Sequence, residues 1–178
     1  MKIRFLHLLP VVAVASLIGL SVQAKTATKP PVSRAAKNSA KVPMKALKIG
    51  RVVKTDAQWK AQLSPAAYDV LRHEGTEAAY SGSLLNVHDH GVFKCAGCDL
   101  ELFSSDAKFE SGTGWPSFFQ PIRKGVVKEK TDTAFGMKRV AIECARCGGH
   151  LGHVFEDGPK PTGLRYCMNS VALKFDKK

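Results

Sequence analysis

Cys144-Ala145-Arg146-Cys147-Gly148-Gly149 is the stretch on which the fold turns, because it repeats the spacing of Cys95-Ala96-Gly97-Cys98 and the two together use four of the chain's five cysteines. Four thiolates in two short-spaced pairs suit one closed tetrahedral Zn²⁺ site, which staples two segments and leaves no open position for catalysis. Glycines just after Cys147 supply the backbone freedom that a tight metal-binding turn requires. Cys95, Cys98, Cys144 and Cys147 are therefore the expected ligands of a single structural zinc. The 45 residues between the pairs exceed a ribbon spacing, so the metal should clip a larger domain across its middle. Cys167 is left over as a free sulfur.

The segments around the pairs read as short strands: Gly91-Val92-Phe93-Lys94-Cys95, Leu100-Glu101-Leu102-Phe103, Arg139-Val140-Ala141-Ile142-Glu143-Cys144 and Val171-Ala172-Leu173-Lys174-Phe175, divided by Gly, Asp, Pro and Ser turns. Upstream, residues 55–61 and 64–72 read as helices. Ser64 is placed to cap the second, Pro65 fits its first position, and Tyr68, Val70 and Leu71 offer an apolar face. The expected class is mainly β, antiparallel, with a few short helices at its front.

Charge is unevenly placed along the 178 residues. Of 27 Lys and Arg, nine fall in residues 1–48, which hold no Asp or Glu, so from residue 49 onward 18 basic side chains face 15 acidic ones. Most of the net +12 thus lies outside the part expected to fold, which argues against a nucleic-acid-binding face. Residues 1–24 have the layout of a secretory signal: Lys2 and Arg4, an apolar run from Leu8 to Leu20, and Val22-Gln23-Ala24 before a cut. Export to the periplasm or the outside is the expectation. An uncleaved anchor is disfavoured by a run shorter than the ~20 residues of a spanning helix, and a mitochondrial presequence by the absence of an Arg-rich amphipathic pattern. Residues 25–48, rich in Ala, Lys, Pro, Ser and Thr without an aromatic, read as a disordered basic spacer, with weak contact to anionic surfaces as its functional alternative. Residues 49–178 form the expected folded domain. Export leaves a second reading of the cysteine pairs open, as disulfides or thioredoxin-like redox centres, although neither pair opens a helix in a βαβ pattern.

Three clusters then point to thiol chemistry: Ser111-Gly112-Thr113-Gly114-Trp115-Pro116-Ser117-Phe118-Phe119, Gly148-Gly149-His150-Leu151-Gly152-His153-Val154-Phe155 and Arg165-Tyr166-Cys167-Met168-Asn169-Ser170. With Trp59, Val70-Leu71-Arg72, Gly75-Thr76-Glu77 and the cysteine pairs, they resemble the methionine sulfoxide reductase B family, the peptide-methionine (R)-S-oxide reductases, over about residues 54–176. The resemblance implies a β-tent of two antiparallel sheets, a structural zinc on the paired cysteines, and Cys167 as the nucleophile. It also implies a pocket of Trp115, His150, His153, Phe155, Arg165 and Asn169, and selectivity for the R epimer.

Residue chemistry supports these roles separately. Attack on a sulfoxide sulfur needs a thiolate, and oxide can leave only with protons. Arg165, two residues from Cys167, is a fixed positive charge that favours thiolate if the side chains converge. His150 and His153, with an ordinary imidazole pKa of ~6.5, are suited to proton transfer at neutral pH. Trp115 and Phe155 offer flat walls for an S-methyl group. Asn169, both donor and acceptor, is able to orient a histidine or a water. His88 and His90 read as a solvated turn with at most an adventitious metal site.

Many members of the resembled family carry a resolving cysteine where this sequence has Thr113. With four cysteines on zinc, Cys167 would pass through a sulfenic acid regenerated by an external, thioredoxin-like thiol donor acting on a monomeric enzyme. The competing readings are a general thiol-disulfide oxidoreductase and a zinc-ribbon binding module whose basic tail contacts an anionic polymer.

Overall fold

The computed structural model describes residues 49–178; the expected signal peptide (1–24) and basic spacer (25–48) lie outside the described residues. Two short helices come first. Helix α1 (Asp56–Gln62) starts in a capping box, with Thr55 Oγ1 accepting from Gln58 N and Gln58 Oε1 accepting from Thr55 N, and it buries Trp59. Helix α2 (Pro65–His73) opens on Ser64, whose Oγ accepts from Ala67 N at 3.2 Å, and ends at Glu74 in the left-handed region. Its buried face is Ala67, Val70 and Leu71. Tyr68, expected on that face, is instead half-buried and turns its hydroxyl to Asp56. A phenol prefers a site where the ring packs and the oxygen stays wet.

The rest is antiparallel β-structure in two sheets. The smaller has the order β2 (Glu101–Ser104), β1 (Gly91–Cys95), β9 (Leu173–Lys177). The larger runs β3 (Lys108–Phe109), β4 (Ser117–Phe118), β8 (Arg165–Met168), β7 (His150–Phe155), β6 (Arg139–Cys144), β5 (Val127–Asp132). This is the two-sheet architecture that the family resemblance implies. Aromatics bind the sheets together: Phe103 of β2 stacks on Phe118 of β4 at 4.5 Å between ring centroids, and Phe93 of β1 meets Phe118 edge-on at 4.9 Å. All three rings are fully buried, and truncating one to Ala should cost ~3–5 kcal/mol.

The strand expected at 171–175 is displaced. Residues Ser170–Ala172 form a 3₁₀ turn and the strand begins at Leu173. The Glu77 carboxylate causes the shift, accepting from Ser170 N at 2.7 Å and Val171 N at 3.1 Å, so both amides are taken from any ladder. Strand β5 was not expected at all, because Val127-Lys128-Glu129-Lys130-Thr131-Asp132 has no apolar alternation. Its six residues pair in register along β6, with Asp132 opposite Arg139.

Candidate active site and metal centre

The two cysteine pairs sit at strand ends and close in the same way. In the first, Asp99 N donates to Cys95 O and Cys95 N to Leu100 O; in the second, Gly148 N donates to Cys144 O and Cys144 N to Gly149 O, all at 2.8–2.9 Å. The residue after each second cysteine, Asp99 or Gly148, takes a positive φ of 57° or 68°. That conformation explains the glycine after Cys147, while in the first knuckle an aspartate tolerates it.

These knuckles bring the four sulfurs within 4.8 Å of one another, with Cys95 to Cys147 at 3.7 Å and Cys98 to Cys144 at 3.5 Å. A sulfur tetrahedron around a metal at ~2.3 Å has edges of roughly 3.8 Å, whereas a disulfide needs ~2.05 Å. The spacing fits one metal ion, and all five cysteines are free of disulfides. Contact with Cys147 and the other sulfurs pulls the Cys144 thiol far down, while contact with Cys144 pushes Cys147 up. A bound cation would allow all four to be thiolates. Two arginines hold the knuckle backbone: Arg146 Nη1 donates to Cys98 O at 3.1 Å and Arg72 Nη1 to Cys147 O at 3.3 Å. Among the described residues this is the one group of three or more metal-ligating side chains close enough to share an ion. His88 and His90 are exposed and only loosely faced by Glu110 and Asp106, at 3.9 and 3.6 Å.

Cys167 stands in the middle of the larger sheet. The register places His153 of β7 opposite it on one side and Ser117 of β4 opposite it on the other, with Phe155 opposite Arg165 two residues along. Cross-strand partners project from the same face, so one row of side chains collects the thiol, an imidazole and a hydroxyl. Above them opens a cleft of about 160 Å³ lined by Cys167, His153, Phe155, Trp115 and Asn169, together with Thr76, Gly152 and Arg139. Trp115 is aimed by its indole N–H, which donates to Glu77 O at 3.2 Å. Just before it, Gly114 has φ 90°, and a Cβ there would lie 2.8 Å from Tyr80 N.

Several expectations about these residues need correction. His150 does not line the cleft: it is 3 % exposed, lies behind His153 at 5.3 Å between ring centroids, and neither of its nitrogens meets a hydrogen-bond partner among the described residues. Burial pulls its pKa down to about 4, so the ring is neutral at pH 7 rather than poised there. Arg165 also stays outside the lining. Its guanidinium forks onto Asp157 with two 2.8 Å bonds and lies 4.4 Å over the Phe155 ring, fixing that wall.

The Cys167 thiol is pushed up by burial, and the pull of Thr113, Arg165 and Ser117 in the other direction does not overcome it. Asn169, 3 % exposed, orients no imidazole. Its Oδ1 accepts from Glu77 N at 3.1 Å and its Nδ2 donates to Leu151 O at 3.1 Å, tying the two flanks of the cleft.

Two side chains that shape the site have no role assigned from the sequence, one of them, Glu77, standing within a quoted motif. Asp132 at the end of β5 reaches His153 Nε2 at 2.8 Å while accepting from Ala134 N at 2.8 Å and Arg139 Nη2 at 2.7 Å. The Ala134 amide first, then His153, hold its carboxyl down to about 2, so at neutral pH it is an anion beside His153 Nε2. An Asp two residues before an amide is a turn signal, but nothing local shows that it reaches across two strands. Glu77 is the second, supporting Trp115, Asn169 and the Ser170–Ala172 turn at once.

A SelR domain model matches residues 63–177. The chain is 56% identical over 127 residues to a peptide methionine sulfoxide reductase MsrB of Leptospira interrogans serogroup Icterohaemorrhagiae serovar Lai, covering 71% of this chain and 97% of that protein. It is likewise 56% identical to the MsrB of Thiobacillus denitrificans, over 70% of this chain and 95% of that one, and to the MsrB of Methanosarcina barkeri, over 70% and 87%. Similarity of this extent spans both knuckles, the Cys167 strand and the cleft around it, and the chain belongs to the MsrB (SelR domain) family.

Proposed function

We propose that the protein reduces methionine sulfoxide in polypeptides to methionine, with Cys167 as nucleophile and the R epimer as substrate. The observation that carries the reading is the cleft in which Cys167 and His153 face each other across β8 and β7 between the walls of Trp115 and Phe155. The aromatic walls suit the S-methyl group, with a sulfur–ring contact contributing ~0.3–1.5 kcal/mol. Cys167 attacks the sulfoxide sulfur. That attack forms a sulfur–sulfur bond as the sulfur–oxygen bond breaks. The His153 ring, oriented by Asp132, relays the thiol's proton to the departing oxygen, the hydroxide so formed adds to Cys167 Sγ, and the sulfur–sulfur bond breaks to release methionine and leave Cys167 as a sulfenic acid. The sulfoxide gains two electrons and the cysteine loses two. His150 supports the His153 ring from behind, and Arg165 and Asn169 hold the cleft's frame.

The other four cysteines converge on each other and Thr113 replaces a resolving thiol, so an external thiol completes the cycle. Two thiols of a thioredoxin-like donor reduce the sulfenic acid, becoming a disulfide and releasing water. The same gathering of the four sulfurs disfavours a thiol-disulfide oxidoreductase, which would need a second thiol beside Cys167. The donor set suits zinc, held by Cys95, Cys98, Cys144 and Cys147, whose contribution is structural. Residues 1–24 direct export, and residues 49–178 act as the catalytic domain in repair of oxidised envelope proteins.

Single-turnover reduction of the two separated methionine sulfoxide epimers by wild-type and Cys167→Ser protein tests the proposal. Methionine from the R epimer alone, lost in the variant, is the expected result. Equal turnover of both epimers removes the stereochemical part, and turnover by Cys167→Ser removes the nucleophile.

A further inference from the structure

The loop before Trp115 and the start of β4 after it place three hydroxyls beside Cys167, away from the cleft lining. Ser117 Oγ donates to Ser111 Oγ at 2.8 Å, Ser111 Oγ lies 2.8 Å from Thr113 Oγ1, and Thr113 Oγ1 lies 3.9 Å from Cys167 Sγ, within the reach of a sulfur acceptor. Ser117 Oγ has one hydrogen and two acceptors in reach, Ser111 Oγ at 2.8 Å and Trp115 O at 3.2 Å; with the hydrogen on the nearer one, counting hydrogens gives the direction of the chain. Ser111 Oγ already accepts from Ser117 Oγ and from Thr113 N (3.4 Å), so its own hydrogen turns to Thr113 Oγ1. Thr113 Oγ1 then accepts, and its remaining hydrogen faces the sulfur.

We propose that Ser117, Ser111 and Thr113 form a one-way hydroxyl relay that ends on Cys167 Sγ and favours its reactive anionic form. Ser117, at 1 % exposure and directly opposite Cys167 in the ladder, anchors the relay where water does not compete. The Thr113 hydroxyl acts against the burial that pushes the Cys167 thiol up. The titratable or charged groups facing Cys167 from the packed elements are Arg165 on its own strand, His153 on β7 and Arg139 on β6; β4 contributes Ser117 alone. Thr113 therefore takes a positioning role at the site that a resolving thiol would fill, and the same donor is available to the sulfenic acid that waits for an external reductant.

The relay deepens the reading of Cys167 as nucleophile, but its test needs no sulfoxide. The pH dependence of Cys167 alkylation by iodoacetamide is measured on metal-loaded full-length protein, with mass analysis confirming a single adduct and thermal melting confirming the fold. Thr113→Val should raise the midpoint by about one pH unit, a tenfold slower alkylation below it. Thr113→Ser should restore the wild-type midpoint, and Ser111→Ala should raise it by a smaller step, which also serves as the reading if Thr113→Val does not fold.

A Thr113→Val midpoint within ~0.2 unit of wild type overturns the relay. So does an unshifted Ser111→Ala, which leaves at most a lone hydroxyl. If wild-type protein shows the expected titration series but forms no methionine from either epimer, the relay stands and the reductase reading falls.

Discussion

At the knuckles each cysteine has three other sulfurs within 4.8 Å, whereas Cys167 has a hydroxyl at 3.9 Å, an imidazole across the ladder and an arginine two residues away. The residue type is the same and the surroundings decide its work. Convergent sulfurs at the ends of β1 and β6 lie close enough to share one metal ion, an arrangement that would make them inert and structural. An isolated sulfur at the centre of a sheet, next to proton donors and under a small aromatic cleft, is placed to react. Metal removal and thiol removal should therefore damage different properties of the protein.

The largest effect belongs to the knuckles. Cys144→Ser should abolish metal binding and unfold the domain at ordinary temperatures, because a structural zinc contributes ~10–16 kcal/mol in small metal-dependent folds; metal content and thermal denaturation check this together. Retained metal and an unchanged melt would break the comparison from the structural side. Cys167→Ser should do the reverse. Its melting temperature should stay within about 2 °C of wild type, since an exchange of one small side chain leaves the ladder intact, while single-turnover methionine formation falls by ~10⁴-fold or more, about 5.5 kcal/mol of barrier.

The third effect is pH-dependent. His150 has a folded pKa of about 4, below its ordinary value, so between pH ~6.5 and 4 the unfolded chain takes up a proton that the folded one refuses. Stability should accordingly be full above that window and fall as pH drops through it, by up to about 3 kcal/mol. Denaturant titrations across pH 7 to 4 should show this slope in the wild type and not in His150→Phe. The smallest effect sharpens the active side: Asp132→Asn keeps a side chain of equal shape beside His153 but removes its charge, and should slow single-turnover reduction ~10–100-fold, about 1.4–2.7 kcal/mol, with metal content unchanged.

Legibility in the sequence followed how local the cause was. Both knuckles were readable because the ligand spacing and the glycine at φ 68° after Cys147 are properties of six consecutive residues. The second helix was readable from Ser64 as its cap and Pro65 at its first position, signals that reach three residues, whereas Thr55 caps the first helix rather than opening it. Cys167, His153, Trp115, Phe155 and Asn169 were read from three motifs, and register β7–β8 brings the first two face to face.

Illegible were the features that register and distant carboxylates decide. Asp132 ends an exposed strand with no apolar period, and only pairing through β6 carries it to His153. Glu77 takes two amides more than 90 positions away, which moves the start of β9. His150 and His153 look equivalent in Gly149-His150-Leu151-Gly152-His153, yet an irregularity in the β6–β7 ladder at Ile142/Glu143 leaves one buried behind the other.

The division of labour among the five sulfurs is tested most directly by the intact mass and metal content of the full-length protein after one turnover with methionine sulfoxide and no reductant. The account predicts one added oxygen atom per chain, located on Cys167, with the metal fully retained. Loss of two hydrogens instead, through an internal disulfide between Cys167 and a knuckle cysteine with release of the metal, would contradict it.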